Sequence, residues 1–203
     1  MGAIVIVTES HGLHAVFSQE QESVVPQDGD IVFHESTSRQ SPIIKMAQHS
    51  KWTHCGIVFY KGGKAYVYEA VEPVKYTPLE DWIARGKNGV YCAKRLKNPL
   101  PASSIEKMKA VGVKHKGKHY DSLFQWSDNR MYCSELVWKI YSQGADIELC
   151  EPEQFSDFPL SAPLVKKLIK ERYGDTFDPT EKIVSPSALY NSKLLKEVRY
   201  SGQ

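Results

Sequence analysis

The chain has 203 residues, of which 41% are hydrophobic and 25% are charged, a composition typical of a globular domain rather than a disordered chain. There are 26 lysine and arginine residues against 24 aspartate and glutamate residues, and the formal charge of +2 gives no field that would indicate a nucleic-acid or anionic-membrane partner. Four widely spaced cysteines without a CxxC pair exclude a disulfide framework and a zinc knuckle.

The first 23 residues are interpreted as an N-terminal extension, and residues 24–203 as a single domain. The apolar run at residues 3–7 is far shorter than the about 18 residues that a membrane span needs. It also lacks the preceding lysine or arginine that a secretion signal normally carries. A signal remnant, a tag and an additional strand stay open for this segment, and so does a loose metal site at His11 and His14.

The elements predicted beyond this segment mix short strands with helices, which indicates an α+β fold. In chain order they are a strand at 31–33, a helix at 42–49, strands at 54–60 and 65–71, a helix at 78–85, a strand at 91–96, helices at about 103–115, 128–141, 163–173 and 186–190, and a strand at 194–200. Ser103 or Ser104 is predicted to cap the third helix, and Gly117 and Gly144 to end the third and fourth.

The two strands at 54–60 and 65–71 form the clearest local pattern, because a Gly62-Gly63 turn separates two β-rich runs. A two-residue loop sets the register and places Gly56 directly opposite Glu69. His54 then lies on the same face as Glu69 and diagonal to it, with no side chain at Gly56 to separate them. Cys55 points to the opposite face and is expected in the core.

Cys133 is predicted in the first turns of the helix that begins near residue 128. The positive end of a helix lowers the pKa of a thiol and favours the nucleophilic thiolate. His54 as general base and Glu69 as its orienting partner would complete a thiol hydrolase. The backbone N–H groups of Cys133 and Ser134 would then stabilise an oxyanion.

Each of these residues also has a structural interpretation, so the pattern alone leaves the triad open. A cysteine on an apolar helix face is usually a small core residue, and a single histidine is usually packed or exposed. Tyr120 either lines a pocket or packs in the core. Cys92 and Cys150 have no basic neighbour in the sequence, and no GxSxG, Walker, GxGxxG or HExxH motif is present. No metal or cofactor is predicted.

Several short motifs together resemble the YiiX-like permuted papain amidases, which are related to the NlpC-type cysteine peptidases. They are GDIVF at 29–33, THCGIV at 53–58, YEAV at 68–71, KYTPL at 75–79, GKHYD at 117–121, WSD at 126–128, YCSELVW at 132–138, ERYG at 171–174 and VSP at 184–186. The resemblance covers about residues 24–200, and it rests on the order and spacing of the motifs rather than on any one of them. One departure is His119, where the family usually has proline.

The resemblance implies a circularly permuted papain-like fold, in which a small antiparallel sheet or barrel packs against helices. It assigns Cys133 as the nucleophile, His54 as the base and Glu69 as the orienting residue, in the permuted order with the nucleophile last. We further expect Tyr120, Tyr132 and Ser134 to contact the substrate.

The function implied is that of a bacterial cysteine amidase or peptidase, with a peptide or isopeptide of cell-wall type as the leading substrate and no cofactor. The expected partner is a small peptide or amino-acid-containing molecule, and the expected location is the periplasm or cell envelope, with the cytoplasm left open. An acyltransferase or a lipid amide or ester hydrolase is the alternative on the same scaffold. A non-catalytic ligand-binding module is the alternative of another class. No oligomeric state is predicted.

Overall fold

A computed structural model of the chain describes residues 23–38 and 41–200. Its nine strands are β1 (Ser23–Val24), β2 (Ile31–His34), β3 (His54–Lys61), β4 (Lys64–Glu69), β5 (Lys75–Pro78), β6 (Tyr91–Leu96), β7 (Glu153–Gln154), β8 (Lys182–Ile183) and β9 (Leu195–Tyr200). Its six α-helices are α1 (Ser41–Ala47), α2 (Leu79–Arg85), α3 (Ala102–His115), α4 (Cys133–Ala145), α5 (Pro163–Tyr173) and α6 (Pro186–Tyr190).

Seven of these strands form one sheet in the order β1-β9-β6-β2-β3-β4-β5, and β7 and β8 form a separate pair. Neighbouring strands of the large sheet are antiparallel except β1, which runs parallel to β9. Across the described residues β1 and β5 remain edges, so the strands do not close into a barrel. The α+β prediction is confirmed in its open-sheet form, with the sheet packed against helices.

The middle of the sheet is buried on both faces, which explains the uninterrupted apolar run in β2. Ile31 and Ile57 point towards α3 and α4, where they join a core that includes Leu136. Val32 points to the other face and packs with Trp82 of α2. Because the two faces are covered by different helices, a side chain's position in the strand decides which core it joins.

The predicted hairpin register is confirmed. Ile57 pairs with Tyr68, and Lys61 pairs with Lys64 at the turn. One further step in this register brings Gly56 level with Glu69. The predicted bounds of β6, α5 and α6 also agree with the structure.

The predicted start and end of α4 were wrong. The helix begins at Cys133 rather than near residue 128, because Met131 pairs with Tyr120 in a β-bridge and the backbone of Tyr132 is extended. It continues through Gly144, where an added Cβ would lie 2.5 Å from the Met108 Cα. Gly144 therefore permits the close approach of α3 to α4 and does not end the helix.

Two smaller differences concern α3 and β5. The N-cap of α3 is Pro101, so Ser103 and Ser104 lie inside the first turn and neither caps it. The chain before α2 is the edge strand β5, which the sequence analysis did not predict. Its last residue, Pro78, suits an edge strand because proline cannot donate a ladder hydrogen bond.

The extension predicted at residues 1–23 lies outside the described residues except for Ser23, which begins β1. His11 and His14 also lie outside them. Over the part that is described, none of the helices combines the length and apolar character that a membrane crossing requires.

The close contact at Gly56 gives a prediction for stability. An added Cβ would lie 2.4 Å from Val67 Cγ1 and 2.9 Å from the Tyr68 carbonyl oxygen. Overpacking of this kind costs about 1–3 kcal/mol, so we expect Gly56→Ala to lower the free energy of unfolding by that amount in urea titrations. Lys64→Ala, at an exposed position of the same hairpin, should change it by less than about 0.5 kcal/mol. Equal stability of the two variants would contradict the packing argument.

Candidate active site

Helix α4 places Cys133 at its first residue, with Tyr132 as the N-cap. The backbone N–H of Tyr132 donates to the Glu135 carboxylate at 3.3 Å, which closes the first turn. Glu135 in turn pairs with Lys139 at 2.7 Å. The first N–H groups of a helix have no intrahelical acceptor and carry partial positive charge. Cys133 therefore lies at the end of the helix that favours an anion.

The β3–β4 hairpin brings His54 and Glu69 together. His54 begins β3 and Glu69 ends β4. The His54 Nε2 and Glu69 Oε2 atoms are 2.6 Å apart, and both side chains are buried. A Cβ at Gly56 would lie 3.2 Å from Glu69 Cβ, so glycine leaves the space between the strands free. The predicted contact is confirmed.

Three further donors hold the Glu69 carboxylate. Thr77 Oγ1 donates to Oε1 at 2.6 Å, and Trp82 Nε1 donates to Oε2 at 2.9 Å. The Arg85 guanidinium also donates to Oε2. Burial acts to raise the pKa of Glu69, but the hydrogen bond with His54 and the charge of Arg85 outweigh burial and lower the pKa to about 2. Glu69 is therefore ionised at neutral pH.

Sequence analysis missed these donors. Thr77 lies in β5, the strand that was not predicted. Trp82 and Arg85 lie one turn apart on α2, directly after β5 in the chain. This i, i+3 spacing of two long donor side chains was the available signal, because such residues share a helix face.

Cys133 meets His54 at the start of β3. Because His54 Nε2 faces Glu69, the other ring nitrogen, Nδ1, is the one available to the Cys133 thiol. Burial alone would lower the pKa of His54, but the hydrogen bonds with Cys133 and Glu69 raise it to about 9. The pKa of Cys133 lies well below its usual value. A hydrogen bond from Cys55 has the largest lowering effect, burial acts to raise the pKa, and the hydrogen bond with His54 lowers it further. The pair therefore favours thiolate and imidazolium at neutral pH.

The other three cysteines have raised pKa values. Burial raises the pKa of the Cys55 thiol well above its usual value and raises that of Cys92 and Cys150 to about 12. Cys55 is a core residue, as predicted, and it packs in the same core as Cys133. Cys133 is thus distinguished from the others by its electrostatic surroundings.

Cys133 borders a cleft that opens to solvent and that contains about 790 Å³ of empty space when its open mouth is included. The walls of this cleft are almost entirely apolar, and they come from α1, α5 and the connecting segments at residues 124 and 155–160. Large apolar side chains in these walls include Ile43, Ile44, Phe124, Leu160, Leu168 and Ile169.

The structure brings Tyr120, Tyr132 and Ser134 to the same cleft, beside Cys133. The hydroxyls of two of them are already engaged. Ser134 Oγ donates to the Val184 carbonyl at 2.7 Å, and Tyr132 Oη accepts from the Val184 N–H at 3.1 Å. Their side chains therefore fix the cleft wall. Of the three residues, Tyr120 is the one that is half-buried.

His34 lies directly opposite His54 in the sheet. Its ring stacks on Trp82 with centroids 4.0 Å apart and lies 5.1 Å from the His54 ring. The side chain is buried, and among the described residues Nδ1 has no hydrogen-bond partner. Burial, followed by the charge of His54, lowers the pKa of His34 to about 3. His34 is thus a neutral neighbour of the charged pair.

Comparison with known proteins gives consistent matches. A family model described as permuted papain-like amidase enzyme, YaeF/YiiX, C92 family, matches residues 25–199. The uncharacterised protein YiiX of Escherichia coli strain K12 is 42% identical over 173 residues, which are 85% of this chain and 86% of that protein. A crystal structure of YiiX from Escherichia coli O157:H7 has a TM-score of 0.83 and 42% identity, covering 86% of this chain and 97% of that one.

That crystal structure is described as one of a metalloprotein. In the present chain, residues 23–38 and 41–200 contain no group of three or more His, Cys, Asp or Glu side chains placed to hold a metal ion. At Cys133 the nearby imidazole is already engaged, since His54 Nε2 faces Glu69 and its other nitrogen faces the thiol. The described residues therefore do not fit a metal centre.

The low pKa of Cys133 predicts selective alkylation. With a substoichiometric amount of iodoacetamide at pH 6, Cys133 should be labelled at least about tenfold faster than Cys150, although Cys133 is buried and Cys150 is half-buried. Peptide mass spectrometry measures the ratio. His54→Ala should abolish the selectivity, because the thiolate loses its imidazolium partner. Equal labelling rates at Cys133 and Cys150 in the unmodified chain would contradict the proposed ionisation.

The lowered pKa of His34 predicts a pH dependence of stability. Well above pH 6.5 neither the folded nor the unfolded form is protonated at this ring, so it has no effect. As the pH falls towards 3, the unfolded form binds the proton and the folded form does not. The free energy of unfolding should therefore fall by about 1.4 kcal/mol per pH unit more than in His34→Gln. Urea titrations between pH 6.5 and 4.5 measure both slopes, and equal slopes would contradict the assignment.

Proposed function

Because the chain belongs to the family of permuted papain-like amidases, we propose that it is a cysteine amidase with Cys133 as nucleophile, His54 as general acid and base, and Glu69 as orienting residue. One observation carries this proposal. The buried 2.6 Å hydrogen bond between His54 and Glu69 stands beside a cysteine at the first residue of a helix. A non-catalytic binding module has no need for an ionised carboxylate held in this way.

The ionisation of these residues matches the steps of amide hydrolysis. The Cys133 thiolate attacks the carbonyl carbon and forms a C–S bond, while the carbonyl π electrons move to oxygen. The His54 imidazolium then donates its proton to the leaving amine as the C–N bond breaks, which leaves a thioester. Water, deprotonated by neutral His54, attacks the thioester and releases the carboxylic acid and the Cys133 thiolate. Glu69 stabilises the imidazolium in both halves of the cycle.

The start of α4 would stabilise the oxyanion. The backbone N–H groups of Cys133 and Ser134 lie in the first turn, where a helix offers no internal acceptor. Preorganised donors of this kind are worth about 10² to 10³ in kcat. The Ser134 hydroxyl does not take part, because it donates to the Val184 carbonyl.

The cleft favours an apolar acyl group over the cell-wall peptide that the sequence suggested. A polar peptide stem would leave its amides unpaired against the walls formed by side chains such as Ile44, Leu168 and Ile169. An acyl chain would instead bury apolar surface there. We therefore propose an N-acyl amide as substrate. Acyl transfer to an acceptor other than water is the second candidate, because it proceeds through the same thioester.

We also propose that Tyr120 contacts the substrate and that the protein lies in the periplasm or cell envelope. Tyr120 is favoured by its position in the cleft wall next to Cys133.

A series of fluorogenic N-acyl aminocoumarins of increasing chain length tests this function. Each methylene that the cleft buries contributes about 0.8 kcal/mol, so kcat/KM should rise about threefold to fourfold per methylene until the cleft is filled. The fluorescence of the released aminocoumarin measures this rise. Cys133→Ser and His54→Ala should abolish turnover, whereas Cys150→Ser, a cysteine outside the cleft, should retain it.

Three results would count against the proposal. If mass spectrometry detects hydrolysis of muropeptides and no acyl substrate is turned over, a cell-wall substrate would be favoured. Transfer of the acyl group to an added alcohol or amine in preference to water would favour the acyltransferase. Tight binding of acyl amides without any turnover would favour a binding module.

A further inference from the structure

Arg172 is the one permanently charged side chain among the described residues that line the cleft. It lies on α5 four residues after Leu168 and three after Ile169, both of which form the apolar wall. Val165, seven residues earlier, is buried on the same face. The helical spacing therefore predicts an apolar residue at position 172, and the chain has a guanidinium there.

The guanidinium has few partners inside the protein. Its Nη1 donates to the Ser122 carbonyl at 2.8 Å, and its central carbon lies 5.8 Å from the Phe124 ring centroid. Within the part of the chain that is described, none of the ion pairs includes Arg172. An arginine has five N–H donors, and among the described residues the Ser122 carbonyl is the acceptor recorded for them.

The other cations of α5 are in a different position. Lys166, Lys167 and Lys170 are exposed, and Lys167 pairs with Glu171 at 3.8 Å. Water solvates these ammonium groups, and they do not line the cleft. Arg172 is half-buried among apolar side chains, where a charge without a carboxylate partner is costly. Keeping a cation there is best explained by an anion that arrives with a ligand.

We propose that Arg172 binds an anionic group of the substrate, a carboxylate or a phosphate, while the acyl chain lies along the apolar walls. The substrate class is then an N-acyl amide that carries an oxyanion. This inference rests on the proposed amidase function and specifies its substrate. A guanidinium suits either anion because its paired N–H groups match two oxygens at once. Tyr120 neighbours both Cys133 and Arg172, so the two ends of the site share one wall.

Matched substrate pairs with one acyl chain test the inference. N-decanoylglycine and N-decanoylglycinamide differ in the carboxylate, and N-decanoyl phosphoethanolamine and N-decanoylethanolamine differ in the phosphate. In at least one pair, the unmodified chain should prefer the anionic member by about tenfold to hundredfold in kcat/KM, mainly through KM. The pair that shows the preference identifies the anion.

Variants of α5 separate recognition from structure. Arg172→Met should bring the ratio of anionic to neutral kcat/KM to about one, and Arg172→Lys should retain part of the preference. Lys170→Met removes the same charge from the exposed face of the same helix and should keep the original ratio. Circular dichroism of each variant verifies that it is folded.

Binding of the same pairs to Cys133→Ala, measured by calorimetry, provides a readout that does not depend on turnover. Binding to Cys133→Ala should show the same preference for the anionic member. The double variant Cys133→Ala/Arg172→Met should lose this preference. No preference in either pair would overturn the inference, and so would an Arg172→Met variant that keeps the original ratio while losing activity on both members. Hydrolysis of neutral and anionic amides at equal rates would refute the anion site and leave the amidase function standing. Anion-selective binding without hydrolysis would refute the amidase function alone.

Discussion

The ionised carboxylate of Glu69 is the constraint on which the rest of the structure depends. It has no exposed surface, and a buried charge is tolerated only when hydrogen bonds replace its hydration. The donors come from three separate elements, since Thr77 lies in β5, Trp82 and Arg85 lie in α2, and His54 lies in β3. The same contacts therefore hold the edge of the sheet, dock α2 and fix the imidazole. The hydrogen bonds to Glu69 thus support both the fold and the candidate active site.

The charges around this carboxylate are arranged with alternating sign towards the cleft. Arg85 and Glu69 are followed by His54 and Cys133, and each neighbour stabilises the charge of the next. His34 lies against this row and stays neutral, so it adds no positive charge beside His54. The row ends at a cleft with apolar walls, where the interactions between charges are less screened than at the surface.

Short-range patterns in the sequence explain which contacts could be predicted. A Gly62-Gly63 turn fixes a register, and the register alone brings His54 to Glu69. Contacts between distant segments were beyond this reasoning, because no local pattern specifies which elements meet. The donors Trp82 and Arg85 were missed for that reason, and the apolar cleft, formed by α1 and α5, redirected the proposed substrate. Gly144 shows the opposite error, since a residue type that usually ends helices was required by the backbone of α3.

Val184 is held at both of its backbone groups by the residues on either side of Cys133. Tyr132 accepts from its N–H and Ser134 donates to its carbonyl, while Val184 itself is part of the cleft wall. These two hydrogen bonds connect the cleft wall directly to the residues that flank Cys133. An ill-fitting ligand would therefore shift the sulfur relative to the carbonyl carbon. Substrates of different shape would then differ in the rate of C–S bond formation and not only in affinity, because misplacement by about 1 Å lowers that rate strongly.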